Sequence, residues 1–133
     1  MSDVIRFSDF EPGTYIGQST QIYTSGLAES WQRIFGKTFS ESSARAEAAS
    51  LATVMMMRSF LEVVAPRPPG NIHARQEFFL SSLPRSGEAI TTEILCENKV
   101  MKRERRYVDL LAKGQGDDGR EVYAGRITLI WAE

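Results

Sequence analysis

The spacing of apolar and polar positions changes early in the chain. Residues 14–23 combine β-branched and aromatic residues after a turn signal, which predicts a strand. Residues 26–35 follow a helical period, because Leu27, Trp31 and Ile34 fall at i, i+4 and i+7 on one face. We therefore predict a strand that is followed by a short amphipathic helix.

The next segment, to about residue 64, is rich in Ala, Leu and Met and predicts a long helix. The hydroxyl of Thr38 and the carboxylate of Glu41 fit a capping box at its start, and a Pro-rich stretch from Pro66 ends it. Its apolar residues go nearly all round the helix instead of forming one stripe. This pattern is typical of a buried helix, so we expect the segment to be central in the fold.

The second half of the chain has a period of two, which predicts strands. Four segments show this pattern, at residues 72–80, 88–96, 107–113 and 122–131. Because consecutive strands joined by short turns usually pair in antiparallel fashion, these segments predict an antiparallel meander. A sheet with one apolar helix on its face is an α+β two-layer domain, and wrapping around that helix would explain its all-round apolar surface. We expect residues 1–133 to form a single domain.

Composition narrows the classes of function. Lys and Arg total 16 and Asp and Glu total 17, a formal net charge of -1, so the chain has no global attraction to nucleic acid or to an anionic membrane. One Cys and one His cannot form a zinc site of these two residue types within one chain, and we expect no metal. No segment has the pattern of a signal peptide or a membrane span, so we expect a cytoplasmic protein.

Three turn-containing segments carry a resemblance to a known family. They are an aromatic–acid–Gly opening at residues 7–14, a Pro-x-x-Gly-acid turn at residues 83–88 and a hairpin at residues 118–125. In this order the chain resembles the hot-dog fold, and within it the MaoC-like group of enoyl-CoA hydratases and dehydratases. The resemblance implies an antiparallel sheet wrapped around a long central helix, dimers that pair sheets edge to edge, and no cofactor. It also implies an acyl thioester as ligand, carried by coenzyme A or by an acyl carrier.

The catalytic motif of that group is replaced in this sequence. Hydratases of the group carry Gly-Asp-x-Asn-Pro-apolar-His-x-Asp, and an ungapped alignment puts Lys37 at the first Asp, Ser42 at the His and Ala44 at the second Asp. Adding water to an enoyl thioester needs a base for the water and an acid for the α-carbon, which an Asp/His pair can supply. We therefore expect an altered or lost activity, and a non-catalytic role beside a catalytic homologue is an alternative.

Other acidic and basic side chains leave a second activity open. His73, the one histidine, suits general base catalysis, although a histidine in a strand more often has a structural hydrogen bond or lies at a dimer interface. Some hot-dog thioesterases use a carboxylate on the central helix, where this chain has Glu41 and Glu47. Acids near the N-terminus of a helix also interact favourably with the helix dipole, which is a structural reason for the same residues. A thioesterase that uses His73 or a helix Glu, with Glu47 as the candidate, is thus the alternative activity, and whether the chain is an enzyme stays open.

Candidate substrate contacts lie in two further segments. One is a basic cluster, which we define as Lys99, Lys102, Arg103, Arg105 and Arg106. Arg103 and Arg105 are candidates for binding the phosphates of coenzyme A or of a carrier's pantetheine arm, but such charges also protect solvated edge strands. Met56 belongs to a run of three Met that either packs the core or lines an acyl channel. Cys96 is expected to be a buried small apolar residue.

Overall fold

The computed structural model describes residues 3–37 and 40–133. In that part of the chain, five strands form one antiparallel sheet, and two helices lie between the first and second strand. The strands are β1 (Tyr15–Ile22), β2 (Ile72–Leu80), β3 (Ala89–Lys102), β4 (Arg105–Gln115) and β5 (Glu121–Trp131). The helices are α1 (Ser25–Phe35) and α2 (Glu41–Val63). The predicted elements are therefore confirmed, with β3 and β4 longer than their alternating patterns.

The start of α2 differs from the predicted capping box. Ser40 is the N-cap, and its hydroxyl accepts a hydrogen bond of 3.1 Å from the backbone N–H of Ser43. Thr38, the predicted cap, lies outside the described residues. Capping by Ser40 satisfies one of the helix N–H groups that has no partner within the helix.

The strand order corrects one prediction about the sheet. The order is β1-β3-β4-β5-β2, so β3, β4 and β5 form a meander, but β2 pairs with β5 and not with β3. The predicted four-strand meander is therefore wrong for β2. The connection from β2 to β3 spans the end of the intervening strands, where the backbone N–H groups of Ser81 and Ser82 donate to the carbonyl of Val122. Alternation within a strand does not report which distant strand it will pair with.

One side of α2 packs against the sheet. Ala52, Met55, Met56 and Phe60 are buried on this side, opposite the apolar residues of β3, β4 and β5. The described residues do not cover the other side. There, Val54 is 38% exposed and Leu61 is 48% exposed, so the all-round apolar surface of α2 exceeds what this sheet buries. Within the described residues, no helix is long and apolar enough to cross a membrane.

Candidate functional site

The two ends of the sheet carry different sets of the predicted site residues. At the end where β3 begins, Tyr23 accepts a hydrogen bond from the N–H of Gly87 and donates one to the carbonyl of Glu88. The junction between α1 and α2 lies beside this end, which we call the junction end. At the other end, Lys102 pairs with Arg105 across the β3–β4 turn. We call it the hairpin end.

Glu47 is the buried carboxylate of the junction end. It lies on the second turn of α2 and is 6% exposed. The Nε2 of Gln32 on α1 donates a hydrogen bond of 3.1 Å to its Oε1, and no Lys, Arg or His of the described chain lies within ion-pair distance of it. Burial and then the charge of Glu47 raise the pKa of Tyr23 above its ordinary value. The junction end thus combines a carboxylate that can accept a proton with a phenol that stays protonated at neutral pH.

The positions aligned with the hydratase motif precede Glu47 in the sequence and lie on the surface. Lys37 is exposed in the segment before α2, and Ser42 and Ala44 are exposed in the first turn of that helix. The Ser42 hydroxyl lies 3.4 Å from that of Ser40. The replacement of the Asp/His pair rests on the alignment and stays a prediction. Across the described ranges, no group of three His, Cys, Asp or Glu side chains could hold a metal ion.

His73 and Glu47 lie at opposite ends of the sheet. His73 is exposed near the start of β2, opposite Leu129 of β5, in the row of residues that crosses the sheet to Lys99 of β3. Glu88, beside the junction end, is about 35 Å from Lys99 along β3 at the rise of an extended strand. One chain therefore does not bring His73 and Glu47 into a common site.

The basic cluster divides into tied and free side chains. Lys99 donates to the carbonyl of Phe7 at 3.2 Å and lies 4.9 Å from the centre of the Phe7 ring. Arg106 donates to the carbonyl of Ala132 at 3.3 Å. Both residues therefore hold segments near the chain ends. The side chains of Lys102, Arg103 and Arg105 have no hydrogen-bond or ion-pair partner among the residues the structure covers, and they are free for other contacts.

Met56 and Cys96 belong to the core. Met56 is fully buried, with its sulfur beside Gly125 in the space where a Cβ would otherwise lie. A role for Met56 in an acyl channel stays a prediction, because Met56 lines none of the cavities described for this chain. Cys96 is 1% exposed, as predicted, and burial raises the pKa of its thiol.

A buried ion pair between Glu88 and Arg120 was not predicted from the sequence. Glu88 is 3% exposed and accepts hydrogen bonds from the backbone N–H groups of Arg85 (2.9 Å) and Asp117 (2.8 Å) and from the Arg120 guanidinium. Burial alone would raise the pKa of Glu88, but these hydrogen bonds outweigh it and lower the pKa. The pair ties the β2–β3 connection to the β4–β5 turn. An acid and an Arg within two turn motifs were the available signal.

A groove of about 640 Å³ lies on the face of the sheet that points away from α2. Its residues Tyr107 and Asp109 alternate along β4 with Val108 and Leu110, which are buried towards the helix. Lys102 and Arg103 line its hairpin end. We call this cavity the outer-face groove.

Solved structures with a similar architecture identify the fold of this chain. No protein-family model matches the chain, and no curated protein matches it in sequence. A hot-dog-like protein from Thermanaerovibrio acidaminovorans is 16% identical, with a TM-score of 0.61 over 93% of this chain and 84% of that chain. The chain has the hot-dog fold. It was predicted from the residues of three turns, and the sheet and helix confirm it.

Two further hot-dog structures are similar over most of their length. A MaoC-like dehydratase from Rhodospirillum rubrum has a TM-score of 0.78 and 15% identity, over 97% of this chain and 98% of that chain. The C-terminally truncated HadBC complex from Mycobacterium tuberculosis, a 3R-hydroxyacyl-ACP dehydratase, has a TM-score of 0.62 and 16% identity, over 84% and 90%. At these identities, the likeness establishes the fold, and function has to be argued from the site.

Proposed function

We propose that this chain is an acyl-thioester-binding hot-dog protein related to MaoC-like hydratases and dehydratases, with an altered or lost hydratase activity. The observation that carries the proposal is the likeness to a MaoC-like dehydratase over nearly the whole chain, combined with Lys37, Ser42 and Ala44 at the motif positions. The thioester, of coenzyme A or of an acyl carrier, would bind at the junction end. Glu47 is the buried carboxylate nearest to those positions in the sequence.

A relocated acid and base pair is available at this end. Hydration of an enoyl thioester removes a proton from water and delivers one to the α-carbon. Glu47 can accept the first proton, and the Tyr23 phenol, whose pKa is raised, can donate the second. Gln32 would position Glu47 through its hydrogen bond.

We propose that the site is completed by a second subunit, either a copy of this chain or a catalytic homologue. The β2 strand is a free edge of the sheet, and the uncovered side of α2 forms a shallow apolar pocket that includes Val54, Met57 and Leu61. A two-fold pairing of β2 edges would be antiparallel, so His73 of one subunit would lie level with the junction end of the other. The likeness to HadBC, which is a complex, supports a heteromeric form. A monodisperse monomer of the isolated chain in light scattering would contradict the homodimer.

A thioesterase is the second candidate activity, and the environment of Glu47 favours it. Glu47 has one amide donor and no cation partner among the described residues. One of its oxygens is therefore available to take a proton from a hydrolytic water, or to attack the thioester carbon with release of the thiol. A third candidate is a binding or scaffold subunit without turnover. A cytoplasmic location stays a prediction.

A product assay separates these candidates. Purified protein is incubated with crotonyl-CoA and with longer and aryl acyl-CoA esters, and the mixture is followed by mass spectrometry beside a calorimetric binding measurement. A hydrated thioester indicates a hydratase with new catalytic groups, free coenzyme A indicates a thioesterase, and binding without a product indicates the scaffold role. Absence of binding to any acyl thioester would contradict the proposal.

Matched variants assign the site. Glu47→Gln keeps the shape of the buried side chain and removes its charge, so we expect turnover to fall at least ten-fold. Glu41→Gln changes an exposed carboxylate on the same helix, and we expect turnover close to that of the unmodified chain. His73→Ala tests the contribution across the subunit interface. Equal losses for the two Glu variants would exclude Glu47 as the catalytic group.

A further inference from the structure

In the outer-face groove, two acids form ion pairs with Arg side chains, whereas two cations have no acidic partner among the described residues. Its acids Glu77 and Glu97 are paired: Arg126 donates two hydrogen bonds to Glu97, at 2.5 and 2.7 Å, and one of 3.2 Å to Glu77. Arg75 lies 3.1 Å from the other oxygen of Glu77. The cations at the hairpin end of the groove, Lys102 and Arg103, have no such partner among the described residues. The groove therefore has free positive charge at one end, which suits phosphate oxygens.

The floor beside these cations is apolar and aromatic. Val100 and Tyr107 face each other across β3 and β4, and both line the groove. Val100 is 45% exposed, so no other part of the described chain covers this floor. A flat ring placed on an aromatic side chain gains stacking and apolar contact.

Asp109 supplies a third kind of contact. Its Oδ1 accepts a hydrogen bond of 2.6 Å from the Thr128 hydroxyl, while its Oδ2 has no partner within residues 3–37 and 40–133. No cation forms an ion pair with Asp109 in the same ranges. A carboxylate with a free oxygen is the usual acceptor for ribose hydroxyl groups in nucleotide sites.

The turn that carries Arg103 has an unusual sequence for its conformation. Arg103 and Glu104 have φ angles of 53° and 64°, as in a type I′ turn, where Asn and Gly are favoured. Left-handed conformations are costly for residues with long side chains. Backbone strain that is retained at the rim of a cavity is a physical indication of function.

We propose that the outer-face groove is a nucleoside-phosphate site. Lys102 and Arg103 would bind the phosphates, Val100 and Tyr107 would support the base, and Asp109 would accept hydrogen bonds from the ribose. This goes beyond the proposed function, because the groove and the junction end lie on opposite faces and towards opposite ends of the sheet. The nucleoside phosphate could come from a free nucleotide or from the nucleotide end of coenzyme A.

Calorimetric titration at low ionic strength tests the site with four probes: ADP, adenosine 3′,5′-bisphosphate, coenzyme A and inorganic phosphate. The main variant is Arg103→Asn with Glu104→Gly, which removes one charge of each sign and introduces the residues that the turn favours. We expect ADP to bind at least ten-fold more weakly to it, and also to Asp109→Asn. The control, Glu41→Gln with Arg45→Gln, makes the same charge change on exposed positions of α2 and should bind ADP normally.

The probes distinguish the sources. Tighter binding of ADP than of adenosine 3′,5′-bisphosphate and coenzyme A supports a free nucleotide, and the reverse supports the nucleotide end of coenzyme A. Binding of inorganic phosphate as tight as that of ADP, or equal ADP affinity in all variants, would overturn the proposal. So would binding of coenzyme A alone that is lost in Glu47→Gln and unchanged in the turn variant, a result that would still support a thioester site at the junction end.

Discussion

The buried ion pair of the junction end and the exposed ion pairs of the outer-face groove use the same residue types for different purposes. Glu88 is 3% exposed, and its carboxylate receives four hydrogen bonds from two turns and Arg120. Glu97 is much more exposed and is bound by the Arg126 side chain. Removal of a buried charge's partner leaves the other charge without water, whereas an exposed charge is resolvated. The pair of Glu88 and Arg120 therefore holds the fold, whereas the charges of the groove stay within reach of water and of a ligand.

The largest expected effect comes from breaking the buried pair. Glu88→Gln leaves the Arg120 guanidinium without its carboxylate, and we expect a loss of about 3–5 kcal/mol in the free energy of unfolding. Urea denaturation measures it. Glu97→Gln is the matched change in the groove, and we expect little effect because water replaces the lost contacts. Similar losses for the two variants would remove the contrast between the regions.

A low pH should reduce the stability of the fold through the Glu88 carboxylate. The pKa of Glu88 is lower in the folded chain than its ordinary value, so its contribution is complete above the unfolded pKa and is lost as the pH falls through the folded pKa. The difference in stability between the unmodified chain and Glu88→Gln should therefore shrink as the pH falls from 7 into the acidic range. Urea midpoints at a series of pH values measure this, and a difference that is constant with pH would contradict it.

A smaller loss of stability is expected where β4 and β5 approach closely, at Gly114 and Tyr123. The ring of Tyr123 occupies the space in which a Cβ on Gly114 would lie, and Tyr123 is buried and hydrogen-bonded to Thr92. Gly114→Ala should cost about 1–3 kcal/mol because a packed ring must move. Gly26→Ala in α1 is the control, since its Cβ would have an ordinary contact of 3.5 Å with Thr24. Thermal melts of both variants give the comparison, and equal Tm values would contradict it.

The smallest effect has the opposite sign. Arg103→Asn with Glu104→Gly relieves two left-handed residues at the hairpin end, and we expect a gain of about 1 kcal/mol in stability. A gain in stability together with a loss of ADP binding would show that the strained turn is retained for a ligand and not for the fold. A loss of stability would indicate that Arg103 or Glu104 makes structural contacts.

The local structure could be predicted from the sequence because it depends on local spacing. The alternation of Ile90, Thr92 and Ile94 placed β3 correctly, and the apolar spacing of Leu27 and Trp31 placed α1. The pairing of β2 with β5 could not be predicted in this way, since it depends on contacts between distant segments. Likewise, the pattern of α2 showed that every side was apolar but not which side the sheet would cover.

The candidate site was predictable in its parts but not in its arrangement. Glu47, His73 and Arg103 were singled out from residue type and position, yet the structure separates the first from the other two along the sheet. The pair between Glu88 and Arg120 joins two turns that are far apart in the sequence. Each residue lies in a turn motif that the sequence shows, but nothing in the sequence indicates that the two turns meet.

The positions of β1 and β2 at the two edges of the sheet have a consequence for the order of folding. The meander of β3, β4 and β5 needs only the closure of short turns, whereas β1 joins β3 across a separation such as the 71 residues between Thr20 and Thr91. Closing long loops is slow because chain entropy is lost before contacts form. We therefore expect the meander to be the first structured intermediate, and both edges of the sheet, with the ligand sites that depend on them, to be the last parts to protect their amides from hydrogen exchange.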